Sequence, residues 1–269
     1  MMNNMTNTVK QLLLLNILFF VGSYFVPQAN ELLSLHYFES DGFKFWQPIT
    51  HMFMHGSPMH IFFNMFALIS FGSALEHFWG AKKFLFFYLS CGIGAALIQS
   101  GINYYEFHSL MNELSVLSIS EVDLNSMLHA NMSDGRSFRS DLLYEATKPL
   151  LKKYNFDTDN FAILFQAACQ NQGIMVGASG AIYGLLVAFA FMFPNAELAF
   201  MFIPVPIKAK YFVPAIVLLD LFSGVTGYSI FGGGIAHFAH VGGAAVGFLM
   251  MWYWKKNQFN NNRWDRKSF

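Results

Sequence analysis

Residues 174–193 read IMVGASGAIYGLLVAFAFMF, and residues 235–254 read IAHFAHVGGAAVGFLMMWYW. Neither stretch contains Asp, Glu, Lys or Arg, and each matches the roughly 20 apolar residues that cross a bilayer as a helix. Ser179 lies near the head of the first and His240 at the matching place in the second. A serine nucleophile and a possible base at equal depth, where a polar group is expensive, point to hydrolysis inside a membrane.

Composition agrees with that reading. Of 269 residues, 55% are hydrophobic, 32 are Phe and only 12% are charged, which leaves too little polar surface to cover a soluble globule. A formal net charge of zero offers no basic field for nucleic acid. Cys91 and Cys169 form neither a disulfide framework nor a metal-ligand spacing, and the sequence implies no cofactor or metal. Apolar stretches at 9–27, 58–78, 84–103 and 211–230 join the first two, so the chain reads as an all-α, multi-pass membrane protein with a bundle of six transmembrane helices. The first stretch reads as an uncleaved anchor, because no small-residue cleavage site follows it.

Lys10, Lys82, Lys83, Lys208, Lys210, Lys255 and Lys256 fall in short segments on one side, which places both termini in the cytoplasm, with 255–269 as a cytoplasmic tail. The expected location is a bacterial cytoplasmic (inner) membrane, with the site opening to the outer face. Two long segments then face outward. Residues 28–57 carry Tyr37, Phe38, Phe43, Phe45 and Trp46, which suits a loop lying partly in the lipid interface. Residues 104–173 are polar, with a turn signal at Asp134-Gly135 and apolar Leu142, Leu143, Leu150 and Leu151, and read as a helical extracytoplasmic insertion between helices 3 and 4 of a single membrane domain spanning 1–269.

In this topology spans two, four and six all run inward from the outer face. His60 and Asn64, Ser179, and His240 then share one layer, about 4 to 10 Å below their helix starts. His60 and Asn64 are four residues apart and share a helix face, a candidate oxyanion hole together with the Ser179 backbone N–H. Gly177 and Gly180 bracket the serine, Gly184 follows, and Gly243 and Gly247 follow the histidine, which lets two helix backbones approach closely. Tyr183, one turn below Ser179, can hold the imidazole by ring stacking.

Each residue has a plainer reading. Ser179 alone suits helix packing, and His60 with Asn64 can merely bridge helices; their coincidence with His240 at one depth favours chemistry. His51 and His55 share a face but have no carboxylate nearby in sequence, and read as structural. His237 reads as a lining residue. Asp220, near the middle of span five, must be protonated or hydrogen-bonded. It could orient a histidine, although the span runs the other way and its midpoint lies deeper than the serine layer. Asp157, Asp159 and Asn160 resemble a calcium loop without its glycine and terminal glutamate.

Three ordered motifs carry a resemblance. His60-Ile-Phe-Phe-Asn64 at the end of a histidine-rich run, Gly177-Ala178-Ser179-Gly180, and Ala239-His240-Val241-Gly242-Gly243 look like the HxxxN, GxSG and AHxxG motifs of the rhomboid intramembrane serine proteases. The resemblance selects His240 over His237 as base. It implies a serine endopeptidase with a Ser179–His240 dyad lacking a third carboxylate, and an oxyanion site using His60 and Asn64. It also implies a fifth helix that moves aside for substrate, and cleavage of other membrane proteins in or near their transmembrane segments. Many members carry Trp-Arg in the first loop, whereas Trp46 here precedes Gln47. The alternative is a non-proteolytic relative that binds membrane clients, although such proteins usually lack the serine or the histidine.

Overall fold

A computed structural model describes residues 5–135, 137–200, 203–229 and 234–257. In chain order the helices are α1 (Asn7–Phe25), α2 (Gln28–Leu33), α3 (Gln47–Thr50), α4 (Pro58–Ala67), α5 (Ser73–Trp79), α6 (Ala81–Leu114), α7 (Glu121–Leu128), α8 (Ser140–Lys153), α9 (Thr158–Gln172), α10 (Ser179–Met192), α11 (Ala209–Thr226) and α12 (His237–Asn257). A π-helical turn, Leu68–Gly72, joins α4 to α5. Strand β1 (Leu35–His36) pairs antiparallel with β2 (Ile174–Met175), and β3 (Glu197–Phe200) with β4 (Ile203–Lys208). The chain divides into two compact units: residues up to Ser34, Trp46–Gln99 and Val176 onward form one, and Leu35–Phe45 with Ser100–Met175 form the other.

Helices occupy all six apolar stretches of the sequence. Among the described residues, Asn7–Phe25, Pro58–Trp79, Ala81–Leu117 and Ala209–Thr226 are long and apolar enough to cross a membrane. The stretch 174–193 departs from its expected form: the helix begins only at Ser179, because Ile174 and Met175 are taken up by β2 and Gly177 adopts φ 122°. The resulting 14 residues rise about 21 Å, well short of a roughly 30 Å hydrocarbon core. The tail beyond Asn257, with Arg263, Arg266 and Lys267, lies outside the described residues, as does Arg136.

In the first unit, the core gathers fully buried Met52, Leu68, Leu75, Phe84, Phe87 and Tyr88. Buried Glu76 on α5 accepts hydrogen bonds from the backbone N–H groups of Thr8 and Val9, each at 3.0 Å, and from the Thr6 hydroxyl. Those amides belong to the first turn of α1, where no intrahelical acceptor exists, so the carboxylate does the work of an N-cap from another helix. At the other end of the unit the carbonyls of α2's last turn are met by side chains. The Trp46 indole N–H donates to Leu32 O at 2.8 Å, Gln47 Nε2 to Glu31 O at 3.3 Å and the Thr50 hydroxyl to Leu33 O at 2.7 Å. Gln47 is thus a fully buried amide tying the first loop, at the position where the sequence lacks the expected arginine.

Helices α10 and α12 touch backbone to backbone. A Cβ placed on Gly243 would sit 1.9 Å from the Gly180 carbonyl oxygen, and one on Gly247 would sit 2.8 Å from Gly184 Cα. Helix α6 closes on the same pair through small residues, with Ala95 against Gly180 and Cys91 against Gly184.

The second unit has its own core of Leu114, Met127, Met132, Leu143, Leu151 and Leu164. Its helices begin where sequence chemistry places N-caps: Ser120 Oγ accepts from Asp123 N at 3.2 Å, and Asp157 Oδ1 from Asn160 N at 2.7 Å. Asp157 is accounted for by that cap.

Two predictions follow from this packing. Gly243→Ala is expected to destabilise by about 1–3 kcal/mol, although Ala is the better helix former by about 1 kcal/mol; Gly22→Ala, whose Cβ would meet nothing beyond its own helix backbone within 4 Å among the described residues, keeps or raises stability. Thermal midpoints in detergent check the opposite signs. His51 is almost wholly enclosed before α4, and burial pushes its imidazole from 6.5 down to about 4. The unfolded chain therefore binds the proton first, so stability is full above pH 6.5 and falls between 6.5 and about 4. The midpoint should drop on acidification through that window, and less steeply in His51→Gln.

Candidate active site

Ser179 is the first residue of α10, and its Oγ lies 2.8 Å from His240 Nε2 in the first turn of α12. The glycine contacts just described set that distance, since any larger residue there would part the two helices. Tyr183, one turn further along α10, stacks on the His240 ring with centroids 4.3 Å apart and planes within 11°. This fixes the imidazole plane, so rotation about χ2 cannot carry Nε2 away from the serine.

The other ring nitrogen of His240 faces a carboxylate. Asp220 Oδ1 lies 3.1 Å from His240 Nδ1 and 2.6 Å from His237 Nδ1, while Oδ2 accepts from the Tyr183 hydroxyl. His237 Nε2 lies 3.1 Å from Ser229 Oγ. The resemblance implies no such carboxylate, and the sequence placed Asp220 too deep. Helix α11 ends at Thr226, with Gly227 in the left-handed conformation as its cap, rather than running to residue 230. Asp220 therefore lies less than two turns from the end of its helix, at the level of the two histidines. The signal was present in the Thr226-Gly227 pair, a usual helix stop.

On the other side of the serine, α4 is started by Ser57, whose hydroxyl accepts from His60 N at 3.2 Å, and by Pro58 at the first helical position. His60 and Asn64 project from one face of α4 toward Gly177. A Cβ on Gly177 would lie 2.7 Å from His60 Nε2 and 3.6 Å from Asn64 Nδ2, and its φ of 122° suits only glycine. The Gly177 amide is held by the His51 carbonyl at 2.9 Å, and His51 Nδ1 in turn by Gln47 O at 2.9 Å. So the chain passes directly from the two α4 side chains to the serine. Among the described residues, Asn64 Nδ2 is buried with no hydrogen-bond partner, and the buried His55 ring meets that of His60 edge-on at 5.0 Å.

Structure thus brings Ser179, His240, Tyr183, His60 and Asn64 together, with Gly177 and Gly180 beside the serine and Gly243 and Gly247 behind the histidine. Among the described residues, Asp220, His237 and His240 form the group with a metal-binding donor set, their ligand atoms lying within 4.8 Å of one another. Both histidine Nδ1 atoms face the same carboxylate oxygen, Asp220 Oδ1, at hydrogen-bond distances of 2.6 and 3.1 Å.

Comparison with known proteins meets this geometry. The profile of the Rhomboid domain matches residues 42–111 and 159–257. The chain is 26% identical over 228 residues to an uncharacterized mitochondrial rhomboid protein of Schizosaccharomyces pombe, covering 79% of this chain and 52% of that one. It is 34% identical over 84 residues to the mitochondrial rhomboid protein 1 of Saccharomyces cerevisiae, covering 31% and 23%, and 31% identical over 81 residues to rhomboid-like protein 15 of Arabidopsis thaliana, covering 28% and 20%. The chain spans about half the length of the first relative and less than a quarter of the others. Two of the three are mitochondrial by name, and none supports the bacterial inner membrane expected from the sequence. The profile covers both flanks of the second unit's helices and includes every residue from His60 to His240 that meets at the serine, so this chain belongs to the rhomboid family.

Proposed function

We propose that this protein is an intramembrane serine endopeptidase that cleaves other membrane proteins in or near a transmembrane segment, with six spans and the second unit's insertion on the extracytoplasmic side. The observation that carries it is the 2.8 Å approach of Ser179 Oγ to His240 Nε2 inside an apolar bundle. With Nδ1 directed at a carboxylate, Nε2 presents its lone pair to the hydroxyl. Ser179 attacks the scissile carbonyl as its proton passes to Nε2, and the imidazolium then returns that proton to the leaving amine. Water, with His240 again as base, hydrolyses the acyl-enzyme.

Charge developing on the carbonyl oxygen needs donors held ready. The Ser179 N–H is free of intrahelical partners because it opens α10, and Asn64 Nδ2 is a buried donor without an acceptor among the described residues. His60 adds a ring nitrogen next to the same backbone. An oxyanion bound beside Gly177 would give Asn64 Nδ2 its acceptor, and a buried amide so matched recovers roughly 1–3 kcal/mol.

The test is purified protein in liposomes with a labelled single-span membrane substrate, alongside labelling by a fluorophosphonate probe that needs no cognate substrate. Wild type should cut and take the label, and Ser179→Ala and His240→Ala should do neither. Asn64→Ala should lower kcat by about 100- to 1,000-fold with little change in KM. A folded wild type that neither labels nor cuts any of several substrates would overturn the proposal and favour client binding without proteolysis.

A further inference from the structure

Asp220 is buried in an apolar bundle, where an ionised group must be compensated by the donors around it. Its surroundings supply three, on two helices: the Tyr183 hydroxyl from α10, and the Nδ1 atoms of His237 and His240 from α12. The donors are divided unevenly between its two oxygens. Oδ2 takes the tyrosine, the same tyrosine whose ring stacks on His240, and Oδ1 takes both imidazoles. His240 is therefore fixed in plane by Tyr183 and in tautomer by Asp220, and both constraints meet at one carboxylate. A neutral imidazole can serve Ser179 as base only when its proton is on Nδ1. A carboxylate at Nδ1 selects that form and offsets the positive charge the ring acquires when it takes the serine's proton. His237, with Nε2 on Ser229 Oγ, gives that same oxygen, Oδ1, a second partner through its Nδ1.

We propose that Asp220 is a positioning residue that completes a Ser179–His240–Asp220 triad, with His237 as the second hydrogen-bond partner that holds its carboxylate in place. The inference rests on the serine endopeptidase reading above. It assigns Asp220 no contact with substrate: its effect passes through His240.

Asp220→Asn separates the triad from a merely structural bridge, because an amide oxygen still accepts from both histidines and the side-chain volume is unchanged, while the negative charge is gone. Fluorophosphonate labelling of Ser179 and, where a substrate is cut, kcat and KM are measured beside thermal midpoint, with Ser179→Ala and Asp220→Glu in parallel. The expected result is a labelling rate and kcat lowered at least about 100-fold, KM within about threefold, a midpoint near wild type, and partial recovery in Asp220→Glu. A folded Asp220→Asn that labels within threefold of wild type overturns the triad while leaving the serine reading intact. Absence of labelling in wild type overturns the underlying reading instead. Should Asp220→Asn fail to fold, the wild type decides the matter by NMR on protein carrying ¹⁵N-histidine. A proton on Nδ1, far downfield and lost in His240→Ala, supports the triad; a proton on Nε2 of His240 overturns it.

Discussion

The contact between Gly180 and Gly243 is the constraint on which the site depends. Membrane helices gain little from hiding apolar side chains from one another, since lipid is equally apolar, so close approach rests on backbone packing and polar contacts. Here the α10 and α12 backbones come close enough that no Cβ fits at Gly243. That closeness lets a side chain as short as serine reach an imidazole on the neighbouring helix. Ala95 and Cys91 of α6 pack against the same two glycines of α10, Gly180 and Gly184, so three helices meet there with small residues alone.

A low-dielectric surrounding strengthens satisfied polar groups and penalises unsatisfied ones. The two flanks of Ser179 differ in this respect. On one side the donors around Asp220 are all matched, and the imidazole of His240 is constrained at both nitrogens and across its face. On the other, Asn64 Nδ2 has no partner among the described residues. A satisfied imidazole on one side and an unmatched donor on the other is the arrangement the proposed hydrolysis calls for, where charge develops only during reaction.

Supporting this are polar contacts well away from the serine. Gln47 and Trp46 close the first loop onto the carbonyls of α2, His51 passes from Gln47 to the Gly177 amide, and Glu76 caps α1 from α5. Each satisfies backbone groups that lipid would leave unpaired. The second unit, by contrast, folds around its own apolar core with N-caps of the ordinary soluble kind, and the family profile passes over its residues 112–158.

Much of the site was legible because its information is local. Uncharged runs announce helices through their length, the spacing of His60 and Asn64 puts both on one face, and the glycines near Ser179 and His240 announce close packing. These follow from helix periodicity and from the cost of polar groups in lipid, both of which a sequence displays directly. What stayed hidden depends on where helices stop and which groups meet across them. The start of α10 at Ser179 was set by strand pairing with residues far away in the chain, and the level of Asp220 by a cap at Gly227 that shortened α11. An error of a few residues at a helix end moves a side chain by about one turn, roughly 5.4 Å, which is the difference between lying below a histidine and bonding to it. Sequence alone placed a serine and a histidine at matching positions in two apolar runs; only the tertiary structure decided that a carboxylate joins them, because that contact lies between helices and has no period to betray it.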